Sequence, residues 1–351
     1  MKKRFSELLI TWFLDNKRDL PWRNTRDPYK IWVSEIILQQ TRVDQGLNYY
    51  LRFIDRFPDV ATLASCDEEE VLKYWQGLGY YSRARNLHHA AQTIMTRYQG
   101  KFPDHYEDVI QLKGVGEYTA SAILSFAWNQ PYPTVDGNVF RVLSRFLAID
   151  ESIDTNRGKT LFTQTARMLM GDSEPGLFNQ AMMEFGAMQC VPIMPDCLRC
   201  PLKDQCMALS LSQVKKYPVK QQKTKIQSRY LYYFHIQYEG YTYLNKRVGK
   251  GIWQNLYEFP QVESETPLSF EDLTRTPLFQ QLFAGQGKHA VFTLAVSQKK
   301  HVLTHRVLFA DFYEVVLETS LEETIPFLKI KEEDFGEYPV HRLMQFYLER
   351  S

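Results

Sequence analysis

Hydrophobic residues recur at helical spacing along roughly the first 210 residues of the chain. Val71–Trp75 and Ala84–Tyr98 carry apolar side chains three and four residues apart, which predicts amphipathic helices. Asp27 before Pro28 predicts a helix start, because aspartate accepts hydrogen bonds from unpaired backbone amides and proline suits the first turn. Residues 1–210 are therefore expected to form an all-α domain.

The pattern of the chain changes in its last third. Residues 230–236 and 290–297 are rich in β-branched and aromatic side chains, which predicts strands, and Glu239-Gly240 predicts a hairpin turn. Residues 228–351 are therefore expected to form an α+β domain. Helical spacing returns in two segments of this domain, residues 269–284 and 340–349.

Residues 211–227 separate the two predicted domains. Five lysines, four glutamines and Pro218 lie in this stretch, a composition typical of an exposed linker. Its lysines fit a solvated tether and equally fit contacts with the phosphate backbone of DNA, so both interpretations stay open. The five lysines are Lys215, Lys216, Lys220, Lys223 and Lys225.

The overall composition excludes several classes of protein. With 42 basic and 41 acidic residues the net charge is +1, unlike that of a histone-like polycation or an acidic tail. Only five cysteines occur in 351 residues, so a secreted disulfide framework is not expected. The chain lacks both the apolar run of a signal peptide near its start and the roughly 18 consecutive apolar residues of a membrane span. A protein of a reducing compartment without a membrane span is expected.

Four of the five cysteines lie within 17 residues, with the spacing C-x6-C-x2-C-x5-C. Thiolates this close in sequence serve either a zinc ion or an iron–sulfur cluster. Zinc sites more often use two short cysteine pairs or include histidine, so one C-x2-C with two longer arms favours [4Fe–4S]. The four candidate ligands are Cys190, Cys197, Cys200 and Cys206.

A glycine-containing turn lies between two helical stretches at residues 112–120. Gly114 and Gly116 allow a sharp turn that leaves backbone N–H groups free at the next helix start, where a DNA phosphate would bind. A plain turn between helices is the commoner explanation of such a pair. Asp136, about 20 residues further on, is either a simple N-cap or a carboxylate held at a helix start in a cleft.

The hairpin, the later aspartate and the cysteine loop together resemble the helix–hairpin–helix DNA glycosylase superfamily. Further motifs resemble the adenine DNA glycosylase (MutY) family, and the resemblance spans residues 5–207. Lys113 departs from the pattern, because the superfamily usually has proline there. The further motifs are WVSEIILQQT at residues 32–41, GLGYY at 77–81 and FNQAMM at 178–183.

The resemblance implies a chemistry that the residues can supply. Breaking the bond between adenine and deoxyribose requires an acid near the base and a negative charge near the sugar. Glu35, among apolar neighbours, is expected to be the acid, although helical spacing alone fits a solvent-exposed glutamate equally well. Asp136 is expected to stabilise the oxocarbenium-like state and to assist attack by water.

Other site residues follow from the same resemblance. Bifunctional relatives have a nucleophilic lysine two residues after the second glycine, but this chain has Tyr118, which favours a monofunctional enzyme. Tyr118 and Asn138 are expected to line the sugar pocket, unless they are simply a packed aromatic ring and a helix-start amide. Because the base must leave the duplex, residues that wedge into the stack and line the adenine pocket are also expected. Gln40 and Tyr80 resemble the wedge residues, Trp22 and Arg23 the wall of the pocket, and Gln180 a contact to the adenine edge.

The second domain resembles the C-terminal domain of the same family, which is similar to the Nudix hydrolase fold. The glutamate-rich Mg²⁺ helix of Nudix enzymes is missing, because Glu322-Glu323 and Glu332-Glu333 lack its arginine and its spacing. The family senses 8-oxoguanine with a Phe-Ser-His loop, here Leu303-Thr304-His305. Thr304 and His305 keep the hydroxyl and the imidazole, whereas the aromatic ring is lost.

The leading hypothesis is an adenine DNA glycosylase acting on double-stranded DNA with adenine opposite 8-oxoguanine or guanine. A monomer in the bacterial cytoplasm, associated with the nucleoid and not with a membrane, is expected. A competing hypothesis is an endonuclease III-like enzyme with lyase activity, which Tyr118 and the second domain disfavour. Two further candidates are a nucleotide-pyrophosphate hydrolase and a non-catalytic DNA-binding protein.

Overall fold

The computed structural model describes residues 2–221, 226–284, 290–321 and 326–350. The chain divides into two compact units, and each is formed by two separate stretches of sequence. The first unit contains residues 1–65 and 86–222, and the second contains residues 66–85 and 223–351. Within the described ranges, every helix is too short or too polar to cross a lipid bilayer.

Helices form the first unit, as its hydrophobic pattern predicts. Asp27 Oδ1 accepts a hydrogen bond from Tyr29 N at 2.9 Å, which confirms the predicted start of α2. The first six helices are α1 (Lys2–Asn16), α2 (Pro28–Leu38), α3 (Val43–Arg56), α4 (Val60–Ser65), α5 (Glu68–Trp75) and α6 (Ser82–Tyr98). Helix α5 belongs to the second unit, and α6 begins in the second unit and ends in the first. They are followed by α7 (Tyr106–Val109), α8 (Glu117–Trp128), α9 (Gly137–Leu147), α10 (Asn156–Met170), α11 (Pro175–Met188) and α12 (Met207–Ser210).

Aromatic side chains fill a core among α1, α9, α10 and α11 of the first unit. The rings of Phe5 and Phe146 lie 4.6 Å apart, and those of Phe140 and Phe162 meet edge to face at 5.2 Å. Contacts of this kind favour packing beyond the apolar area that they bury. The core fixes the start of α9 and the face of α11, which both contribute to the site described below.

The segment 211–221, predicted to belong to an exposed linker, is instead attached to the first unit. Arg145 Nε donates to the carbonyl oxygens of Val214 and Tyr217, at 3.1 and 3.3 Å. Ile153 N donates to Val219 O at 3.1 Å, and the Tyr217 ring is buried. The lysines of this segment are exposed, as in a tether, but the backbone between them accepts hydrogen bonds from the buried Arg145 side chain. Residues 222–225, including Lys223 and Lys225, lie outside the described residues.

A mixed β-sheet is the centre of the second unit, which confirms the predicted α+β class. Its central order is β3-β2-β1-β6-β5, while β4 pairs with β1 and β7 with β2. β1 and β6 run parallel, and the other pairs are antiparallel. The strands are β1 (Gln227–Tyr238), β2 (Tyr241–Lys246), β3 (Tyr257–Glu258), β4 (Gln261–Ser264), β5 (Ala290–Val302), β6 (Arg306–Leu317) and β7 (Leu328–Lys331).

Local signals in the second unit are mostly confirmed. Glu239 and Gly240 have φ angles of 47° and 77° and form the predicted hairpin turn between β1 and β2. The helix predicted over 269–284 is wrong as one element, because it is two: α13 (Phe270–Thr274) and α14 (Pro277–Phe283). Pro277 lacks an N–H and begins a new helix. The predicted C-terminal helix is present as α15 (Arg342–Leu348).

Candidate active site

Glu35 is buried on α2 of the first unit. Its helix is apolar on most sides, because Ile31, Val33 and Ile36 are also buried. Burial is the largest influence on this carboxyl and raises its pKa from 4.5 to about 7, with a further increase from the charge of Asp136. Near neutral pH the side chain therefore exchanges a proton readily, which a general acid requires.

Tyr118 contacts this carboxyl directly. It is the second residue of α8, and its phenolic hydroxyl donates a hydrogen bond to Glu35 Oε2 at 2.9 Å. The same hydroxyl lies 3.3 Å from Met183 Sδ. Burial raises the pKa of Tyr118 well above its usual range, so the phenol stays protonated and remains a donor. The hydrogen bond lowers the pKa of Glu35 and partly opposes the effect of burial.

Asp136 caps the start of α9 and is fully engaged there. Its Oδ1 accepts from Val139 N and its Oδ2 from Asn138 Nδ2, both at 2.8 Å. The pKa of Asp136 is raised overall, because the effect of burial exceeds that of these hydrogen bonds and of the charge of Arg141, which lower it. Asp136 is therefore an N-cap, as one of the two sequence interpretations predicts. Its carboxyl also lines a cavity, so capping does not exclude a second role.

A cavity of about 180 Å³ in the first unit brings most of the predicted site residues together. Its wall includes helices α2, α8, α9 and α11 and the turn before α2. The two carboxyl groups thus line the same cavity, although about 100 residues separate them in sequence. The predicted residues that line the cavity are Trp22, Arg23, Glu35, Tyr118, Asp136, Asn138 and Gln180.

Glu184 and Arg18 also line this cavity, and neither is predicted from the sequence. Glu184 is buried on α11 and accepts paired hydrogen bonds from Arg18 and Arg23, with the shortest at 2.6 Å from each. Burial acts to raise the pKa of Glu184, but these bonds lower it to about 2. The one signal in the sequence for Glu184 is its position four residues after Gln180, which places both side chains on the same face of α11.

Arg141 connects the cavity with the cysteine loop. Its Nε donates to Cys190 O at 2.8 Å, and its Nη2 donates to Asn138 Oδ1 at 2.8 Å and to Gly186 O at 2.6 Å. Asn138 in turn donates to Asp136. One buried guanidinium therefore holds the loop backbone and the amide beside Asp136 in fixed positions.

The four predicted cysteine ligands line one small cavity of about 30 Å³. All are free thiols, and Arg145 Nη1 lies 3.5 Å from Cys190 Sγ. In the described part of the chain, no group of three or more His, Cys, Asp or Glu side chains is arranged to hold a metal ion. Four thiols around one cavity nevertheless match the donor set of an iron–sulfur cluster, which takes four cysteine thiolates.

The glycine turn before α8 has the geometry that its sequence predicts. Gly114 has a φ of 84°, and a Cβ on this residue would lie 2.8 Å from Asn86 Cβ. Gly116 is the N-cap of α8, so the first amides of that helix follow it directly. Lys113 is exposed beside the turn, and the departure from proline leaves the hairpin intact.

The remaining predicted residues lie outside this cavity. Gln40, with a φ of 59°, follows the end of α2 in the first unit. Tyr80, Thr304 and His305 belong to the second unit and are exposed. Of the glutamates considered for Mg²⁺ binding, Glu332 and Glu333 lie in the 3₁₀ helix Glu332–Glu337, and Glu322-Glu323 lies outside the described residues.

Comparison with known families agrees with both units. Residues 33–165 match the family model described as "HhH-GPD superfamily base excision DNA repair protein". Residues 232–350 match the model described as "NUDIX domain". A solved structure, titled as that of a thermostable thymine-DNA glycosylase, is 27% identical with a TM-score of 0.56 and covers 60% of this chain and 97% of its own.

Curated relatives extend the match beyond the fold. The adenine DNA glycosylase of Buchnera aphidicola subsp. Acyrthosiphon pisum is 37% identical over 262 residues, which are 74% of this chain and 75% of the relative. The adenine DNA glycosylase of Buchnera aphidicola subsp. Baizongia pistaciae is 35% identical over 83% of this chain and 84% of the relative. The resemblance seen in the sequence motifs is confirmed, and the chain belongs to the adenine DNA glycosylase family of base-excision DNA-repair enzymes.

Proposed function

We propose that the enzyme hydrolytically removes adenine placed opposite 8-oxoguanine or guanine in double-stranded DNA. The observation that carries this proposal is one cavity with two carboxyl groups in different environments. Glu35 has a pKa of about 7 because it is buried, while Asp136 is bound by two hydrogen-bond donors. Such a pair divides the work between an acid and a negative charge.

Glu35 donates its proton to the flipped adenine and so makes the base a better leaving group. At pH 7 roughly half of the Glu35 side chains carry a proton, because the pKa is about 7. Tyr118 orients the carboxyl through its 2.9 Å hydrogen bond. Trp22, Arg23 and Gln180 line the same cavity, where we propose that they contact the base.

Asp136 stabilises the positive charge that develops on the sugar as the bond breaks, and it assists the attack of water. Asn138 Nδ2 and Val139 N hold its two oxygens in place before the reaction begins. The described residues that line the cavity include two arginines and no lysine. A Schiff base from this wall is therefore not available, which supports a monofunctional enzyme with water as the acceptor.

The four cysteines are proposed to hold a [4Fe–4S] cluster. When bound, the cluster would brace the loop 190–206 and leave the bond-breaking chemistry to the carboxyl groups. Arg141 and Arg145 fasten this loop to α9 through the carbonyls of Cys190, Val191 and Pro192. Arg199 and Lys203 of the loop are proposed to contact the DNA backbone, although Asp196 and Asp204 leave the loop with no net charge.

DNA contacts are proposed outside the cavity as well. The turn at Gly114 and Gly116 would bind a phosphate, and Gln40 and Tyr80 would fill the space left by the flipped base. Thr304 and His305 would sense the base opposite adenine. The enzyme is proposed to act as a monomer at the nucleoid of the bacterial cytoplasm.

The test is a single-turnover glycosylase assay on four duplexes with adenine opposite 8-oxoguanine, guanine, thymine or cytosine. Free adenine is expected from the first two, with an intact strand until alkali is added. Borohydride is added in parallel to a thymine-glycol duplex, where efficient covalent trapping would favour an endonuclease III-like enzyme. Release of adenine from neither of the first two duplexes would refute the proposal.

A further inference from the structure

The two glutamines that follow α2 lie in different environments. Gln40 is exposed, whereas Gln39 is half-buried. Gln39 has φ and ψ angles of −56° and 116°, and Gln40 has a φ of 59°. Thr41 N donates to Leu38 O at 3.2 Å and closes the segment. These angles and this bond are those of a type II turn, with Gln40 at the position that favours glycine.

The turn at residues 38–41 is held from two sides. A left-handed backbone costs free energy in a residue with a side chain, so neighbouring contacts must maintain it at Gln40. On one side Gly46 of α3 packs so close that a Cβ on it would lie 2.8 Å from Leu38 Cδ2. On the other side Gln39 Nε2 donates to Thr119 Oγ1 on α8, at 3.2 Å.

Thr119 is a buried residue of α8 and directly follows Tyr118. Helix α2 and the residue after it therefore bond to two successive positions of α8. Glu35 accepts from Tyr118 at 2.9 Å, and Gln39, four residues later, donates to Thr119. The buried acid and the turn that carries Gln40 are thus positioned against the same helix.

Holding this turn matters for an inserted side chain more than for the fold. The Gln39–Thr119 bond is partly exposed to water, so its contribution to stability is small. A flipped base costs unstacking free energy, and a side chain that fills the gap must resist closure of the stack. On a turn that relaxed to a more favourable backbone, the Gln40 side chain would leave the gap.

We propose that Gln39 is a positioning residue that, through Thr119, holds the turn presenting Gln40 to the DNA stack and so favours the flipped state of adenine. The inference rests on the proposed function, in which Gln40 fills the space left by the flipped base. Gln39 acts through Gln40 and not on the base itself. Loss of its amide therefore changes how much adenine leaves the duplex, and not how the acid at Glu35 titrates.

The test measures the flipped fraction of adenine in complexes of the full chain with a duplex that places adenine opposite 8-oxoguanine. The adenosine carries a 2′-fluorine, which makes it resist base loss, and its fluorine-19 resonance distinguishes a stacked from a flipped nucleotide. The proteins are wild type, Gln39→Met, Thr119→Val and the double variant. Methionine and valine keep the approximate size of the side chain and remove the hydrogen bond.

Each single variant is expected to lower the ratio of flipped to stacked adenine about three- to tenfold, the size of one net hydrogen bond. The double variant should lower it no further, because both changes remove the same bond. Thr119→Ser should keep the ratio within about twofold of wild type, since it retains the hydroxyl.

Gln130→Met is the matched control. Gln130 follows the left-handed Asn129 at the end of α8, and its Nε2 donates to Asp104 O at 2.6 Å. The variant loses a glutamine bond beside a left-handed residue in the same unit, but not at the turn after α2. Its ratio of flipped to stacked adenine should equal that of wild type.

Two further measurements separate positioning of Gln40 from other effects. In a Gln40→Ala background, Gln39→Met should change the ratio by less than about twofold, because the side chain that it positions is already gone. The pH dependence of single-turnover adenine release should be the same for Gln39→Met as for wild type, since Tyr118 still donates to Glu35.

A wild-type ratio in Gln39→Met, losses that multiply in either pair of variants, or a displaced pH dependence would overturn the inference. Melting temperatures identify a variant that does not fold. If Thr119→Val is such a variant, the cycle of Gln39→Met with Gln40→Ala decides alone. A failure of the inference leaves adenine release by the wild type intact, whereas a failure of the proposed function shows as a wild type that releases no adenine.

Discussion

The phenolic hydroxyl of Tyr118 donates a 2.9 Å hydrogen bond to Glu35 Oε2. The bond stabilises the ionised carboxylate, whereas burial of Glu35 disfavours it, and the two effects leave the pKa at about 7. Position 118 thus does more than lack a nucleophilic lysine. It adjusts the protonation of the group proposed to act on adenine.

Tyr118→Phe is expected to shift the pH dependence of adenine release. Without the donor the pKa of Glu35 rises, so the acid keeps its proton to a higher pH. The pH at which the single-turnover rate begins to fall should therefore be higher for the variant than for the wild type. Tyr132→Phe, which removes a phenol elsewhere in the same unit, is the control. If the rate of the variant falls at the same pH as that of the wild type, or at a lower pH, the assignment of Glu35 as the acid is contradicted.

Glu35→Gln is expected to bind mispaired DNA and to release no adenine, because an amide supplies no proton at the base. Single-turnover assays and binding titrations on the same duplex separate the two properties. Glu174→Gln, at a half-exposed glutamate of the same unit, is the control and should turn over normally. Adenine release by Glu35→Gln at the wild-type rate would exclude the proposed mechanism.

The same substitution should stabilise the protein at high pH. A carboxyl whose folded pKa is raised from 4.5 to about 7 favours folding below pH 4.5 and loses that contribution as the pH rises through 7. The shift corresponds to about 3 kcal/mol above pH 7. Melting temperatures of Glu35→Gln should therefore exceed those of wild type more at pH 8 than at pH 5. An equal difference at both pH values would mean that Glu35 is not perturbed by burial.

Features that depend on neighbouring residues are predicted well from the sequence. The Asp27 cap and the Glu239-Gly240 turn are decided within a few residues and are confirmed. The helix predicted over 269–284 is wrong as one element, because apolar spacing continues across Pro277 although the backbone cannot. The spacing of apolar residues is the same whether or not a residue such as Pro277 carries the backbone N–H that a continuous helix needs.

Features that depend on distant partners are not predictable in the same way. Glu184 resembles any helical glutamate, and its two arginines lie more than 160 residues earlier in the chain. The lysine-rich segment 211–221 resembles a tether because the guanidinium that holds it belongs to Arg145, on another helix. Glu35 is recognisable only through its motif, since burial is a property of the folded unit.

Glu184→Gln is expected to destabilise the first unit by about 3 kcal/mol at pH 7, because it leaves two arginines without their shared carboxylate. The folded pKa of about 2 lies below 4.5, so the contribution of Glu184 is complete above pH 4.5 and is lost as the pH falls toward 2. Denaturant titrations should show the difference from wild type narrowing between pH 5 and pH 3.

The control for this prediction is again Glu174→Gln. Glu174 pairs with Arg26 at 3.3 Å on the surface, where an ion pair contributes roughly 0–1 kcal/mol. A loss as small for Glu184→Gln as for this control, or a difference that does not depend on pH, would contradict the role of the buried pair.

Arg141→Gln is expected to impair adenine release and retention of iron together. The shorter amide cannot reach the carbonyls of Cys190 and Gly186 and the Asn138 amide at once, so buried acceptors lose their donor. Each such loss costs about 1–3 kcal/mol of stability. The single-turnover rate should fall at least about tenfold, because Asn138 and Asp136 lose the contact that positions them and a misplacement of about 1 Å can cost a factor of about 100. Iron content, visible absorption and rate are measured on the same preparation. Arg157→Gln, at an exposed arginine of α10, should leave all three unchanged. A variant of Arg141 with full iron and a wild-type rate would show that this guanidinium does not position Asn138 and Asp136.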